Sequence, residues 1–258
     1  LIEATTPATE VINLGVPGYN LRSELTYFER MGAKYRPDIV LLAICQNDVV
    51  DHDAQARRRE EASRCTRVDP LHAAPARTLF SSTKQYLTDH SRIYRAAQEA
   101  VSAHKPLARA AIWMGLKDEL AGFAGLDENL HSALRSYPPT VQHAMQLLQA
   151  DLSRIDAAVR AGGARLLVVL IPAVQAVDAR QLDLTLAYTS YVSGDFELDK
   201  PYRQIEGYAR TCGIDVINPL RDFRQAQAAG ERLYLPGDLH LSATGHLRLA
   251  RAIVAAIR

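Results

Sequence analysis

Two short runs constrain this chain more than any other feature. Ile39-Val40-Leu41-Leu42-Ala43-Ile44 and Leu166-Leu167-Val168-Val169-Leu170-Ile171 are apolar at every position. A strand sends successive side chains to opposite faces, so a run without a polar residue has no face to offer water and must be covered on both. Strands of a parallel sheet lying between two layers of helices meet that condition. Two weaker β-type runs, Val11-Ile12-Asn13-Leu14 and Ile214-Asp215-Val216-Ile217, bring the set to four.

Helical patterns stand beside these runs. After the first comes the turn Gly15-Val16-Pro17-Gly18-Tyr19-Asn20, then Leu21, Leu25 and Phe28 at helical spacing. Leu147, Leu148, Leu152, Ile155 and Val159 share another helix, which Gly162-Gly163 closes just before the strong run at Leu166. A helix over Tyr202 to Thr211 leads through Gly213 to the last run, and Leu247, Ala250, Val254 and Ile257 form the stripe of a C-terminal helix. Strand, loop and helix in repetition predict a doubly wound α/β sheet. A length of 258 residues at 48% hydrophobic is enough for one large domain of that kind.

Residues from about 52 to 140 break the alternation and read as a helical insertion. Arg57-Arg58-Arg59-Glu60-Glu61 near its start reads as a solvated helix face. An insertion after a strand end is placed to shape a pocket; Tyr86, Tyr94, Trp113 and Met114 are candidate wall residues, with helix-core packing as the alternative role.

The charge balance removes several classes of partner. Lys+Arg 30 against Asp+Glu 29 leaves +1, so no chain-wide field attracts nucleic acid or anionic lipid. The longest apolar run, Leu166 to Pro172, falls far short of the roughly 20 residues of a membrane-spanning helix. Cys45, Cys65 and Cys212 show no C-x-x-C spacing, no phosphate-binding loop is present, and Gly15-x-x-Gly18 is too short for a dinucleotide fingerprint. The acidic set Asp48, Asp51, His52 and Asp53 reads as a solvated loop in preference to a metal site. No cofactor or metal is expected, and the partner is expected to be a small or neutral molecule.

Ligands of open α/β sheets bind beyond the carboxyl ends of the strands. Three polar, loop-forming stretches lie there: Gly15 to Gly18, Cys45-Gln46-Asn47-Asp48, and Asp238-Leu239-His240-Leu241-Ser242-Ala243-Thr244-Gly245-His246. Asp238 and His240, two apart, share one side of an extended segment; the carboxylate can fix the imidazole tautomer and leave the other nitrogen free as a general base. Read alone, the pair also suits a capping Asp over a packed His. Asn47 can aim its amide at a developing oxyanion, and Gly15 lets a backbone N–H approach the same point, although each also suits an ordinary turn.

Taken together and in this order, Gly15 within Asn13 to Asn20, Asn47 in Cys45-Gln46-Asn47-Asp48, and the closing Asp-x-His-x-x-x-x-Gly-His stretch resemble the SGNH hydrolases, the GDSL lipase/esterase superfamily. Arg36-Pro37-Asp38 and Leu233-Tyr234-Leu235-Pro236 extend the resemblance over nearly the whole chain. It implies a flavodoxin-like three-layer α/β/α domain with a mostly parallel sheet that hydrolyses esters or transfers acyl groups by a Ser-His-Asp acyl-enzyme route. No cofactor is implied. His240 would be the base, Asp238 its orienting acid, and Gly15 and Asn47 donors of the oxyanion hole; Asp48 would be structural, and Ser242 the N-cap of the last helix with His246 beside it. The substrate implied is a small-molecule or carbohydrate ester.

The sequence departs from that pattern in two places. No serine precedes Ser23, and neither Gly194-Asp195 nor Gly237-Asp238 is followed by Ser, so the family's Gly-Asp-Ser nucleophile segment and its strand are missing. Cys45 stands where a glycine is usual. Together with a start at Leu1 that lacks both Met and a signal-peptide layout, this gives the expectation of an N-terminally truncated SGNH domain, inactive by itself, from a parent serine esterase. An SGNH-like O-acyltransferase and a non-catalytic carbohydrate-binding domain are the alternatives.

Overall fold

A computed structural model describes residues 2–5, 9–49, 91, 128–186, 191–235 and 240–257. The insertion's Arg57 to Glu61, Tyr86, Tyr94, Trp113 and Met114 fall outside these residues, as do Asp51, His52 and Asp53. The chain divides into two compact units, the first made of Leu1–Gln55, Glu128–Leu182 and Asp195–Arg258, the second of Ala56–Asp127 and Asp183–Gly194. Residues 128–140, assigned from the sequence to the insertion, lie in the first unit. There Leu130, Ala133 and Leu134 are buried, and a 3-10 helix, Glu128–Ala133, contacts the two helices that precede the second and third strands.

Three parallel strands form the sheet in the order β1 (Ile39–Ile44), β2 (Arg165–Leu170) and β3 (Asp215–Ile217). Ile39 pairs with Arg165 and Ile44 with Leu170, while Leu167 to Val169 pair with Asp215 to Ile217. The described helices are α1 (Ile2–Thr5), α2 (Leu21–Arg30), α3 (Pro139–Ala161), α4 (Val174–Val177), α5 (Ala179–Leu186), α6 (Lys200–Thr211), α7 (Leu220–Ala228) and α8 (Ala243–Ile257). Both crossover helices end alike. Gly163 after α3 and Gly213 after α6 take φ of 80° and 71°, and the next residue's N–H returns to the helix, Ala164 to Val159 and Ile214 to Ala209. That left-handed cap, which glycine enters without strain, turns each helix straight into β2 or β3.

The sheet is covered on two sides, giving the three-layer α/β/α architecture that the apolar runs predict. On one face Leu42, Ile44, Leu166, Val168 and Leu170 pack with Leu148, Leu152 and Ile155 of α3 and Tyr202 and Ile205 of α6. On the other, Val169 packs with Phe223 of α7, Leu233, and Leu249 and Ile253 of α8. Asp151 of α3, fully buried, accepts from Arg22 of α2 at 3.1 Å and from Arg154 at 2.9 Å, tying α2 to α3.

One expected strand is not formed. Val11 to Leu14 has no ladder partner among the described residues, and Val11 and Ile12 are 46% and 41% exposed. Its ends are engaged by side chains instead: Val11 N–H donates to Glu3 Oε1 and Gly15 N–H to Asn13 Oδ1, both at 2.9 Å. A β-prone run without a neighbouring strand has nothing to satisfy its backbone as a ladder, so local acceptors take over.

Candidate active site

β1 ends at Ile44, and the chain turns at once. Asp48 folds back so that its Oδ2 accepts from Cys45 N–H at 2.7 Å, while its own N–H donates to Cys45 O at 3.2 Å. Asp48 is buried and Asn47, between the two anchored residues, is half-buried. The Asp48 carboxylate thus fixes the backbone of the turn that carries Asn47. Burial, reinforced by Asp48 and Glu24, pushes the Cys45 thiol up to about 12. A thiol with that pKa stays protonated at neutral pH and is no nucleophile.

Glu24 belongs to the first turn of α2, whose N-cap Asn20 accepts from Ser23 N–H at 3.1 Å. Leu21 at the start of α2 packs in the same core cluster as Ile44 at the carboxyl end of β1. Burial pushes Glu24 up to about 7, and its Oε2 and the Oε1 of Gln46 are buried oxygens without a hydrogen-bond partner among the described residues. Gly15, which precedes this helix, is exposed, and its N–H is already engaged by Asn13 Oδ1. To serve an oxyanion it must exchange that acceptor. A Cβ at Gly15 would lie 3.2 Å from the same Asn13 oxygen, so a side chain there would press on the acceptor of this bond.

His240 sits on one of two short antiparallel legs, residues 233–235 and 240–242. Leu235 N–H donates to His240 O at 3.0 Å, Ser242 N–H donates to Leu233 O at 2.9 Å, and Tyr234 bridges Leu241. Asp238 falls in the 236–239 stretch, outside the described residues. Ser242 Oγ accepts from Gly245 N–H at 3.2 Å, the bond of a helix N-cap, and donates to Arg232 O at 2.6 Å. His246 is exposed, and its N–H makes an early α-helical bond, to Ser242 O at 2.9 Å. Gly245 is buried against the first leg: a Cβ there would stand 2.2 Å from Leu233 O. Only glycine lets α8 approach that closely.

The legs are tied to the sheet through Tyr234. Its hydroxyl donates to Pro172 O at 2.8 Å, two residues beyond the end of β2. Ile44 and Leu170 are register partners, so the carboxyl ends of β1 and β2 lie side by side. The fold therefore brings the Asn47 turn, the start of α2 and the His240 legs to one edge of the sheet, where chemistry in an open α/β sheet is found. No local sequence signal marks a role for Tyr234, Tyr202, Pro172 or Glu24. Tyr234 belongs to the Leu233-Tyr234-Leu235-Pro236 stretch, but its partner is 62 positions away.

Among the described residues, no group of three or more His, Cys, Asp or Glu side chains is placed to hold a metal ion, and no helix is long and apolar enough to cross a membrane.

Residues 124–258, just over half of the chain, match the family described as SGNH hydrolase-like domain, acetyltransferase AlgX. No curated protein and no solved structure matches. The matched span holds β2, β3, both crossover glycines, the anchoring Tyr234 and the Asp238-x-His240 stretch. Three-layer architecture, strand-end legs and family match agree, and the chain belongs to the SGNH hydrolase-like domains of the AlgX acetyltransferase family.

Proposed function

We propose that this domain modifies ester-linked acyl groups, with a small-molecule or carbohydrate ester as substrate. What supports the reading is the Tyr234 bond to Pro172, which attaches the His240 legs just past the carboxyl end of β2, next to the strand end that leads into the Asn47 turn. His240 would take the proton of an attacking hydroxyl, with Asp238 holding its tautomer. Asn47 and the Gly15 N–H, once released from Asn13, would donate to the oxyanion as the acyl carbon becomes tetrahedral. The carbonyl re-forms, the bond to the leaving alkoxide breaks, and that alkoxide receives the proton from His240, leaving an acyl-enzyme. His240 then deprotonates a second hydroxyl, whose oxygen takes the acyl group and frees the first. Water as that hydroxyl gives hydrolysis; a sugar hydroxyl gives transfer, which the acetyltransferase in the family's description supports equally well.

The first hydroxyl is the distinctive point. The sequence carries no Gly-Asp-Ser and no serine before Ser23, and Cys45 is too weakly acidic to substitute. The isolated 258-residue chain is therefore expected to turn over no acetyl ester.

The test is a fluorophosphonate label, which bonds to an activated serine, applied to the protein as its native source makes it, followed by peptide mapping. An acyl-enzyme route requires one labelled serine, with His240→Ala slowing labelling by about 10²–10⁴-fold. Absence of label together with binding of an acetylated oligosaccharide would replace the enzyme by a carbohydrate-binding domain. Adding that oligosaccharide's deacetylated form to a labelling-competent enzyme then separates transfer from hydrolysis by the product formed.

A further inference from the structure

Pro172 and Ala173 share a peptide bond just past the end of β2, and both of its polar groups are taken by tyrosines. Pro172 O accepts from Tyr234 Oη, and Ala173 N–H donates to Tyr202 Oη, each at 2.8 Å. Tyr202 comes from α6 and is 4% exposed; Tyr234 comes from the first His240 leg and is 9% exposed. The peptide plane is thus clamped between the helix layer that covers one face of the sheet and the segment that carries the candidate base.

We propose that Tyr234 is the positioning residue of the His240 segment, its hydroxyl setting where the two legs, and with them the His240 imidazole, stand relative to the carboxyl edge of the sheet. The functional meaning of this role rests on reading His240 as the general base.

The argument is one of attachment. Within the legs, the bonds Leu235 N–H to His240 O and Ser242 N–H to Leu233 O fix one leg against the other but not against the sheet. The Tyr234 hydroxyl supplies a direct polar tie between this pair and β2, through a carbonyl that Tyr202 immobilises from the opposite side. The Tyr234 ring adds packing, edge-on to Phe223 of α7 with centroids 6.5 Å apart. Burial raises both phenols, Tyr202 up to about 12 and Tyr234 further, so both keep their protons at any physiological pH and the clamp does not titrate away. A positioned imidazole shows one tautomer; a poorly held one averages two.

The experiment reads that tautomer in the 258-residue chain, by long-range ¹H–¹⁵N correlation of the imidazole, with His240 assigned by its loss in His240→Gln. Wild type is expected to show one neutral tautomer, and Tyr234→Phe, which keeps the ring and removes the bond, to collapse the two nitrogen signals toward their average. The Leu235 and Ser242 amides should exchange about tenfold faster in that variant. Ser242→Ala, which removes the N-cap bond and the bond to Arg232 O but keeps the Tyr234 tie, should leave the tautomer in place. Unchanged His240 signals and amides in Tyr234→Phe would overturn the proposal. Should that variant fail to fold, the wild type decides by itself: Leu235 and Ser242 amides protected like those of central β2 sustain the clamp, and freely exchanging ones refute it. Loss of the fluorophosphonate result would sink the enzymatic reading while leaving this measurement intact.

Discussion

β1 and β2 are neighbours in register and near twins in composition, yet their burial differs sharply. Leu41 and Leu167 are direct partners, one 39% exposed and the other 1%. Ala43 and Val169, the next pair on that face, repeat the contrast, exposed against fully buried. On the opposite face Leu42, Ile44, Val168 and Leu170 are all buried. The difference therefore arises on one side only, where the cluster built on α7 and α8 covers β2. An apolar run states that a strand belongs in a sheet, whereas its burial is decided by whatever helix reaches it.

The largest expected effect tests the buried twin. Leu167→Ala should lower stability by about 2–5 kcal/mol in a denaturant titration, because it empties space at the centre of the sheet. A cost no larger than that of Leu41→Ala would break the contrast.

An intermediate effect belongs to the end of β1. Glu24, pushed up from 4.5 to about 7 by burial, holds its proton more tightly in the folded protein. That stabilisation is fully present below about pH 4.5 and is lost as pH rises through about 7. Glu24→Gln should flatten the stability profile across this window, removing a change on the order of 1–2 kcal/mol once partial solvation is allowed for. An unaltered profile would mean that Glu24 is not the group that titrates there.

The smallest effect sharpens the exposed twin. Leu41→Lys should change stability by less than about 0.5 kcal/mol. A loss comparable to that of Leu167→Ala would show that Leu41 is covered in the protein as it exists in solution.

What could be read from the sequence follows the range of the interactions. The two strong strands and the glycine caps at Gly163 and Gly213 rest on signals within a few residues, and all of them are found in the structure. Val11 to Leu14 has the right residue types but no neighbouring strand among those described, and residue types do not reveal a neighbour. The Gly15 N–H bond to Asn13 was within reach of local reasoning, since asparagine readily accepts from the backbone two positions on. The tie from Tyr234 to Pro172 was not, because no periodicity relates residues so far apart. Arg248, joined to Asp222 at 2.7 Å and to Glu231, is equally invisible to spacing, although it links α8 to α7 and to the approach of the His240 legs.

The contact at Gly245 has a consequence for how this region can change. The atom that a side chain there would strike is a backbone oxygen, Leu233 O, which is itself bonded to Ser242 N–H. No substitution elsewhere can trim that oxygen, so a Gly245→Ala lesion has no simple second-site suppressor. Relief requires α8 to shift bodily, and the position therefore couples the placement of an entire helix to the presence of two hydrogen atoms on one α-carbon.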